Sequence, residues 1–139
     1  MGHMMILLIL GWLLFVGVHL MIGVRSGRQK LENRFGRWGL RVFVALGSIV
    51  GLAMMAQGYA VARFYPGWMP LSWGHELAAV LMPVASILLI AAYLPSNIKR
   101  FTAHPMLWAV VLWAVAHLMV RGDWASLVLF GGLGLYALV

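Results

Sequence analysis

The chain has 139 residues, of which 64% are hydrophobic and 9% are charged. Soluble domains are about half apolar and about a quarter charged, so this composition excludes a soluble globular protein and predicts a membrane protein. The net charge of +7 comes from few ionisable groups, which we interpret as a loop bias and not as a nucleic-acid-binding surface. Because cysteine is absent, disulfides, thiolate metal sites and a cysteine nucleophile are excluded.

The hydropathy pattern predicts an all-α fold, a polytopic bundle of about five transmembrane helices, because a span needs about 20 apolar residues. We expect one domain over residues 1–139, with spans at residues 5–24, 39–62, 75–94, 105–120 and 124–139. Residues 1–4 have the pattern of a cloning scar. The short, uncharged end of the last span predicts that the native chain extends beyond Val139.

The most basic segment is residues 25–41, which is predicted to be a loop between the first two spans. Its cations stand against Glu32 alone and are Arg25, Arg28, Lys30, Arg34, Arg37 and Arg41. The positive-inside rule makes this loop cytoplasmic and the N-terminus external, as in a multi-pass protein of a bacterial inner membrane. Its arginines are expected to contact anionic lipid headgroups, or alternatively a substrate or cofactor carboxylate.

The second loop, RFYPGWMPLSWG from Arg63 to Gly74, is rich in proline and aromatic residues. Aromatic side chains at this depth are typical of an interfacial belt. A lid over an apolar ligand is the alternative interpretation.

Acidic residues are scarce, and histidines take their place as candidate functional groups. Glu32, Glu76 and Asp123 all lie at predicted borders or in loops, which argues against paired-carboxylate catalysis and carboxylate-bridged metal sites. Away from their borders, the predicted spans contain two histidines, His19 and His117. Ionisable groups in a membrane are costly, which makes both of them candidates for a function.

Two histidines on two helices fit haem b, which needs an apolar slot, one or two axial imidazoles and basic groups for its propionates. Zinc would require three or four ligands in a tighter cluster. In the alternative interpretation each imidazole is neutral and bonded to a carbonyl or hydroxyl. The candidate propionate partners are Arg25, Arg41, Lys99 and Arg100, and the candidate pocket walls are Phe15, Trp108 and Trp113.

A third histidine, His104, competes for the role of second ligand. It precedes Pro105 at the predicted inner border, thirteen residues before His117. That spacing corresponds to about 20 Å along a helix, so the two cannot ligate one iron from one straight helix. Depth in the membrane favours His104 as the partner of His19, and the choice stays open at this point.

Four motifs carry a resemblance to a known family: LFVGVHL in the first span, then LPSNIKRFTAHP, LWAVAHL and GDWASLVLFGG between residues 94 and 132. They resemble the NnrU family of integral membrane proteins, which also includes the plant 15-cis-zeta-carotene isomerase. The resemblance implies a role in bacterial denitrification and nitric oxide metabolism. Its isomerase branch implies haem b held by two histidines, which fall on His19 and His117, while His104 matches the His-Pro motif. Ala114 stands where the plant isomerases carry a cysteine, which removes a thiolate ligand switch.

The sequence therefore predicts a haem b-binding protein of the lipid bilayer that acts on an apolar or gaseous ligand. The reaction implied is nitric oxide handling or redox-dependent cis–trans isomerisation of a carotenoid-like polyene, and whether the protein is an enzyme stays open. A non-enzymatic haem sensor or assembly factor is one alternative. Another is an S-adenosylmethionine-dependent methyltransferase, because the His-Pro step before an apolar helix also resembles membrane methyltransferases. Those enzymes use later acidic residues, which this chain lacks.

Overall fold

The computed structural model describes residues 2–139, which form helices and no strand. The helices are α1 (Gly2–Gly23), α2 (Arg25–Val61), α3 (Gly74–Tyr93), α4 (Pro105–Val120) and α5 (Trp124–Leu138). A short 3₁₀ turn, Asn97–Arg100, precedes α4. The predicted all-α fold of five helices is confirmed.

Three of these helices, α1, α2 and α3, are long and apolar enough to cross a membrane, which makes this a membrane protein. The 16 residues of α4 extend about 24 Å, less than the roughly 30 Å of a hydrocarbon core. The apolar helix α5 is also shorter than a standard span. The five predicted spans thus correspond to three helices of spanning length and two shorter apolar ones.

The chain divides into two compact units, one ending at Arg63 and the other running from Phe64 to Val139. The first unit is the α1–α2 hairpin, whose seam is built from small residues. A Cβ atom added to Gly47 would lie 2.8 Å from Cγ2 of Val18, and one added to Gly58 would lie 2.6 Å from the backbone N of Leu8. Small residues allow this close approach of backbones between membrane helices. The glycines of α2 therefore form the seam against α1.

The basic segment predicted as a loop is helical, and that prediction was wrong. Residues 25–35 form the first part of α2, and the break comes at Gly36, which has φ 70° and ψ 173°. Arginine, lysine, glutamine and glutamate have good helix propensities, so a charged segment folds as readily into a helix as into a loop. Gly36 then separates this basic segment from the rest of α2, which is apolar after Arg41.

In the second unit α3 and α4 are antiparallel neighbours. A Cβ atom at Gly74, the start of α3, would lie 2.5 Å from the carbonyl oxygen of Met119 near the end of α4. At the opposite ends, the Tyr93 hydroxyl lies 3.6 Å from the sulfur of Met106. The next helix, α5, packs on α4 at Ala114, whose Cβ would lie 2.8 Å from one added to Gly134.

The aromatic segment before α3 folds against the turn between α4 and α5. The Gly67 and Trp68 amides donate to the Gly122 carbonyl at 2.7 and 3.2 Å, and the Trp124 amide donates to the Tyr65 carbonyl at 3.2 Å. The Leu71 amide reaches the Met119 carbonyl at 3.3 Å. The segment is therefore tied by backbone bonds within its own unit.

Asp123 stabilises this turn from inside. Its side chain caps α5 by accepting from the Ser126 amide at 3.0 Å and from the Ser126 hydroxyl at 2.7 Å. Arg121 Nε lies 3.3 Å from the same carboxylate, which is only 2% exposed. A buried carboxylate is tolerated here because its oxygens are bonded.

Candidate functional site

His117 lies in the last turn of α4 with a fixed tautomer. Its Nδ1 donates to the backbone carbonyl of Trp113, one turn earlier, at 2.8 Å. Because a carbonyl can only accept, Nδ1 carries the proton and Nε2 carries the lone pair. Within residues 2–139, the ring of His117 makes this hydrogen bond through Nδ1 and none through Nε2, so Nε2 is available to an incoming group.

The imidazole of His117 is also held by two aromatic rings. Phe130 stacks on it with centroids 4.3 Å apart and planes inclined by 17°. Trp113 lies 5.0 Å away at 54° and makes an edge contact with Phe130 at 4.8 Å. Phe130 belongs to the π-helical segment of α5, Leu127–Gly131, and is 4% exposed. The ring plane is thus fixed by packing as well as by the Nδ1 bond.

His19 is oriented in the same way on α1. Its Nδ1 donates to the Phe15 carbonyl at 2.7 Å, and the Phe15 ring lies 4.4 Å from the imidazole at 32°. Both histidines are half-buried. A histidine that ligates a metal typically donates its other ring N–H to a carbonyl or carboxylate, which fixes the tautomer. The same bond is also expected for a histidine with a purely structural role. The ligand role of His117 is favoured because its Nε2 is available to bind an incoming group.

His104 has a different environment. It is exposed, precedes α4 as its cap residue, and donates its backbone N–H to the Thr102 hydroxyl at 3.3 Å. Lys99 and Arg100 are also exposed and lie in the 3₁₀ turn that leads into α4. These three residues lie at the start of α4, about 20 Å of helix from His117. Two of the four cations expected to hold propionates, Lys99 and Arg100, accordingly lie at the His104 end.

The three aromatic residues predicted to line a haem pocket differ in their contacts with the histidines. Phe15 and Trp113 contact the histidines, whereas Trp108 is 50% exposed. The sequence reasoning missed Phe130, because nothing in the pattern of α4 shows which residue of α5 faces His117. The described residues contain no group of three or more His, Cys, Asp or Glu side chains that would hold a metal ion.

The basic helix at the start of α2 forms a groove of about 470 Å³. It is lined by Arg25, Arg28, Gln29, Glu32, Arg37 and Arg41. A neighbouring groove of about 400 Å³ is lined by Ile22, Arg28, Leu40, Arg41, Val44 and Ala45. Arg25 and Arg41, both predicted as propionate partners, are brought together here.

Comparison with known proteins gives one family. Residues 7–139, nearly the whole chain, match the family described as NnrU protein. No curated protein and no solved structure matches the chain.

Proposed function

The chain belongs to the NnrU family, and from this premise we propose that it is a haem b-binding membrane protein in which His117 and His19 would hold the iron. The observation that carries the proposal is the state of His117: a half-buried imidazole with Nδ1 bonded to its own helix, two aromatic rings against it, and Nε2 available. His19 supports it through the same Nδ1 bond on α1.

The donor set fits haem better than a bare metal ion. Haem iron takes its equatorial ligands from the porphyrin, so the protein need supply only one or two imidazoles. This matches isolated histidines without nearby carboxylates or thiolates. Apolar and aromatic neighbours around both rings supply the dry surroundings that an apolar macrocycle requires.

The chain's own residues would act mainly by orientation and by exclusion of water. The Trp113 and Phe15 carbonyls hold the two Nδ1 protons and so fix the tautomer and the orientation of each ring. Phe130 and Trp113 restrict rotation of the His117 ring. Haem, when bound, supplies a redox-active iron that binds small gaseous ligands or exchanges an electron.

The substrate class is expected to be apolar or gaseous, either nitric oxide or a polyene such as a carotenoid. Ala114, one turn before His117, is 2% exposed and contacts the α5 backbone region at Gly134. This position is filled by helix packing and brings no thiolate to the iron. The proposed setting is the bacterial inner membrane.

The test is an absorption spectrum of the detergent-purified protein, oxidised and then reduced with dithionite. We expect a stoichiometric b-type spectrum that is six-coordinate and low-spin. His117→Ala should lose most of the haem, and His19→Ala should leave a five-coordinate species. The matched control is His75→Ala, because His75 is an exposed residue at the start of α3.

The other outcomes reassign the function. Loss of the six-coordinate species in His104→Ala, with His117→Ala unaffected, would show that His104 is the second ligand. A featureless spectrum after reconstitution with haem would overturn the proposal. Specific binding of S-adenosylmethionine by that haem-free protein would then favour a methyltransferase.

A further inference from the structure

We propose that the first unit contains a binding site for one anionic phospholipid at the turn between α1 and α2. The phosphate would bind between Arg28 and Arg41, and one acyl chain would lie along Ile22, Leu40 and Val44. No histidine is among the residues that line this site, and its test does not require haem.

The polar half of the site is the arginine-lined groove. Four arginines line it against one carboxylate, Glu32, so its net charge is positive. Guanidinium groups bind phosphate oxygens through paired N–H bonds, which gives both strength and geometric selectivity. An anion is therefore the occupant that this half of the site favours.

The apolar half adjoins the polar half directly. Arg28 and Arg41 line both grooves, and the remaining lining residues of the second groove are aliphatic: Ile22, Leu40, Val44 and Ala45. An occupant that fills both grooves must carry an anionic head joined to an apolar chain. A phospholipid has this form, and the surrounding bilayer supplies it at high concentration.

Glu32 orders the arginines without neutralising them. Its carboxylate lies 3.0 Å from Nε of Arg37 and 3.9 Å from Nε of Arg28. One carboxylate oxygen faces each arginine, so the groove keeps Arg25 and Arg41 as additional cations. The kink at Gly36 lies between Glu32 and Arg37 and turns the two parts of α2 toward the same groove.

The position along the helices also fits a lipid headgroup. The groove lies where α1 ends and where α2 changes from basic to apolar. Arg41 lies over the ring of Trp38 at 5.4 Å, and that tryptophan is 76% exposed. Exposed tryptophan and arginine at a helix boundary are typical of the headgroup layer. Free phosphate would leave the apolar half empty, and a haem propionate is the remaining competitor.

The experiment is native mass spectrometry of the protein released from nanodiscs that contain equal amounts of phosphatidylglycerol and phosphatidylcholine with the same acyl chains. We expect one phosphatidylglycerol per chain to be retained in preference to phosphatidylcholine. Since a charge-assisted hydrogen bond to the phosphate contributes on the order of a tenfold factor or more, the double variant Arg28→Gln/Arg41→Gln should reduce this retention by about a hundredfold. The matched control is Arg34→Gln, which removes a cation of the same helix from outside the grooves and should reduce retention by about fivefold at most, through bulk charge.

A second variant tests the apolar groove, which would hold the acyl chain, without changing the charge of the protein. Ala45→Trp fills the aliphatic groove and should reduce phosphatidylglycerol retention while circular dichroism stays unchanged. Equal retention of the two lipids would overturn the proposal, because the groove would then have no preference for an anionic headgroup. Equal losses in the Arg34 control and the double variant would also overturn it, because bulk charge would then account for the preference. Competition by inorganic phosphate alone, with Ala45→Trp unaffected, would show a phosphate site and no lipid site. Loss of haem in the double variant with lipid retention intact would assign the groove to propionates instead.

Discussion

Phe130 stacks on His117 across the α4–α5 contact, with ring centroids 4.3 Å apart and planes 17° from parallel. Phe130 reaches this position from a π-helical segment, Leu127–Gly131. Such segments account for well under 1% of residues in proteins and occur frequently at functional sites. Because a π turn contains an additional residue, it rotates the following side chains relative to a regular helix. The irregular turn in α5 is therefore part of how the imidazole is held.

Replacing Phe130 with alanine is expected to loosen His117 and to destabilise the second unit. The side chain is 4% exposed, and truncating a buried phenylalanine costs on the order of 3 kcal/mol. Thermal unfolding in detergent, followed by circular dichroism, measures this loss, and the haem-to-protein ratio measures the effect on the ligand. The control is Phe64→Ala, since Phe64 is 62% exposed. Equal stability of the two variants would contradict the role assigned to the stack.

Asp123→Ala is expected to destabilise the turn between α4 and α5. The substitution removes the cap of α5 and leaves the buried Ser126 hydroxyl and Arg121 without this carboxylate. Loss of an N-cap alone costs about 0.5–2 kcal/mol, and the lost contacts of the carboxylate with the Ser126 hydroxyl and Arg121 add to it, so we expect about 2 kcal/mol or more.

The comparison variant is Glu76→Ala, which removes an exposed acid from the first turn of α3. It should change stability by less than about 0.5 kcal/mol, as surface substitutions usually do. Limited proteolysis at residues 64–73 gives a second measurement, because that segment is tied to this turn by backbone bonds. Unchanged cleavage in Asp123→Ala would show that the carboxylate does not hold the segment.

Two glycine-to-alanine substitutions separate packing from helix propensity in the α1–α2 hairpin. At Gly58 a Cβ would lie 2.6 Å from the Leu8 amide nitrogen, a backbone atom that cannot move without shifting α1. At Gly17 nothing lies within 4 Å of the added Cβ. Gly58→Ala should therefore lower the thermal midpoint, while Gly17→Ala should leave it unchanged or raise it, given the roughly 1 kcal/mol helix preference for alanine. A similar midpoint shift in both variants would argue against the seam.

The sequence predicts those parts of the fold that depend on local pattern. Long apolar runs give α1, α2 and α3, and Pro105, which suits a first helical turn, marks the start of α4. Each of these features is determined by residues within one or two turns of each other.

The features that sequence reasoning missed depend on contacts between distant segments or on competing propensities. The stack of Phe130 on His117 requires the register of α5 against α4, which a π segment changes. From the sequence, Asp123 is expected to be an exposed residue of a turn. It is buried because residues 64–73 pack against that turn. The charge of Arg25–Arg41 does not distinguish a helix from a loop.

The backbone at Gly36 provides the last prediction. Its φ of 70° with ψ of 173° belongs to a region that is essentially restricted to glycine, and an L-residue there costs about 1–3 kcal/mol. Gly36→Ala should therefore either destabilise the first unit by that amount or extend α2 as one continuous helix. A continuous helix would separate Arg37 and Arg41 from Glu32 and Arg28 on the other side of the kink, so phosphatidylglycerol retention should fall together with the thermal midpoint. Gly23→Ala is the control, because a Cβ there meets nothing within 4 Å and its φ is not positive. If Gly36→Ala matched Gly23→Ala in both measurements, the kink would have no part in forming the groove.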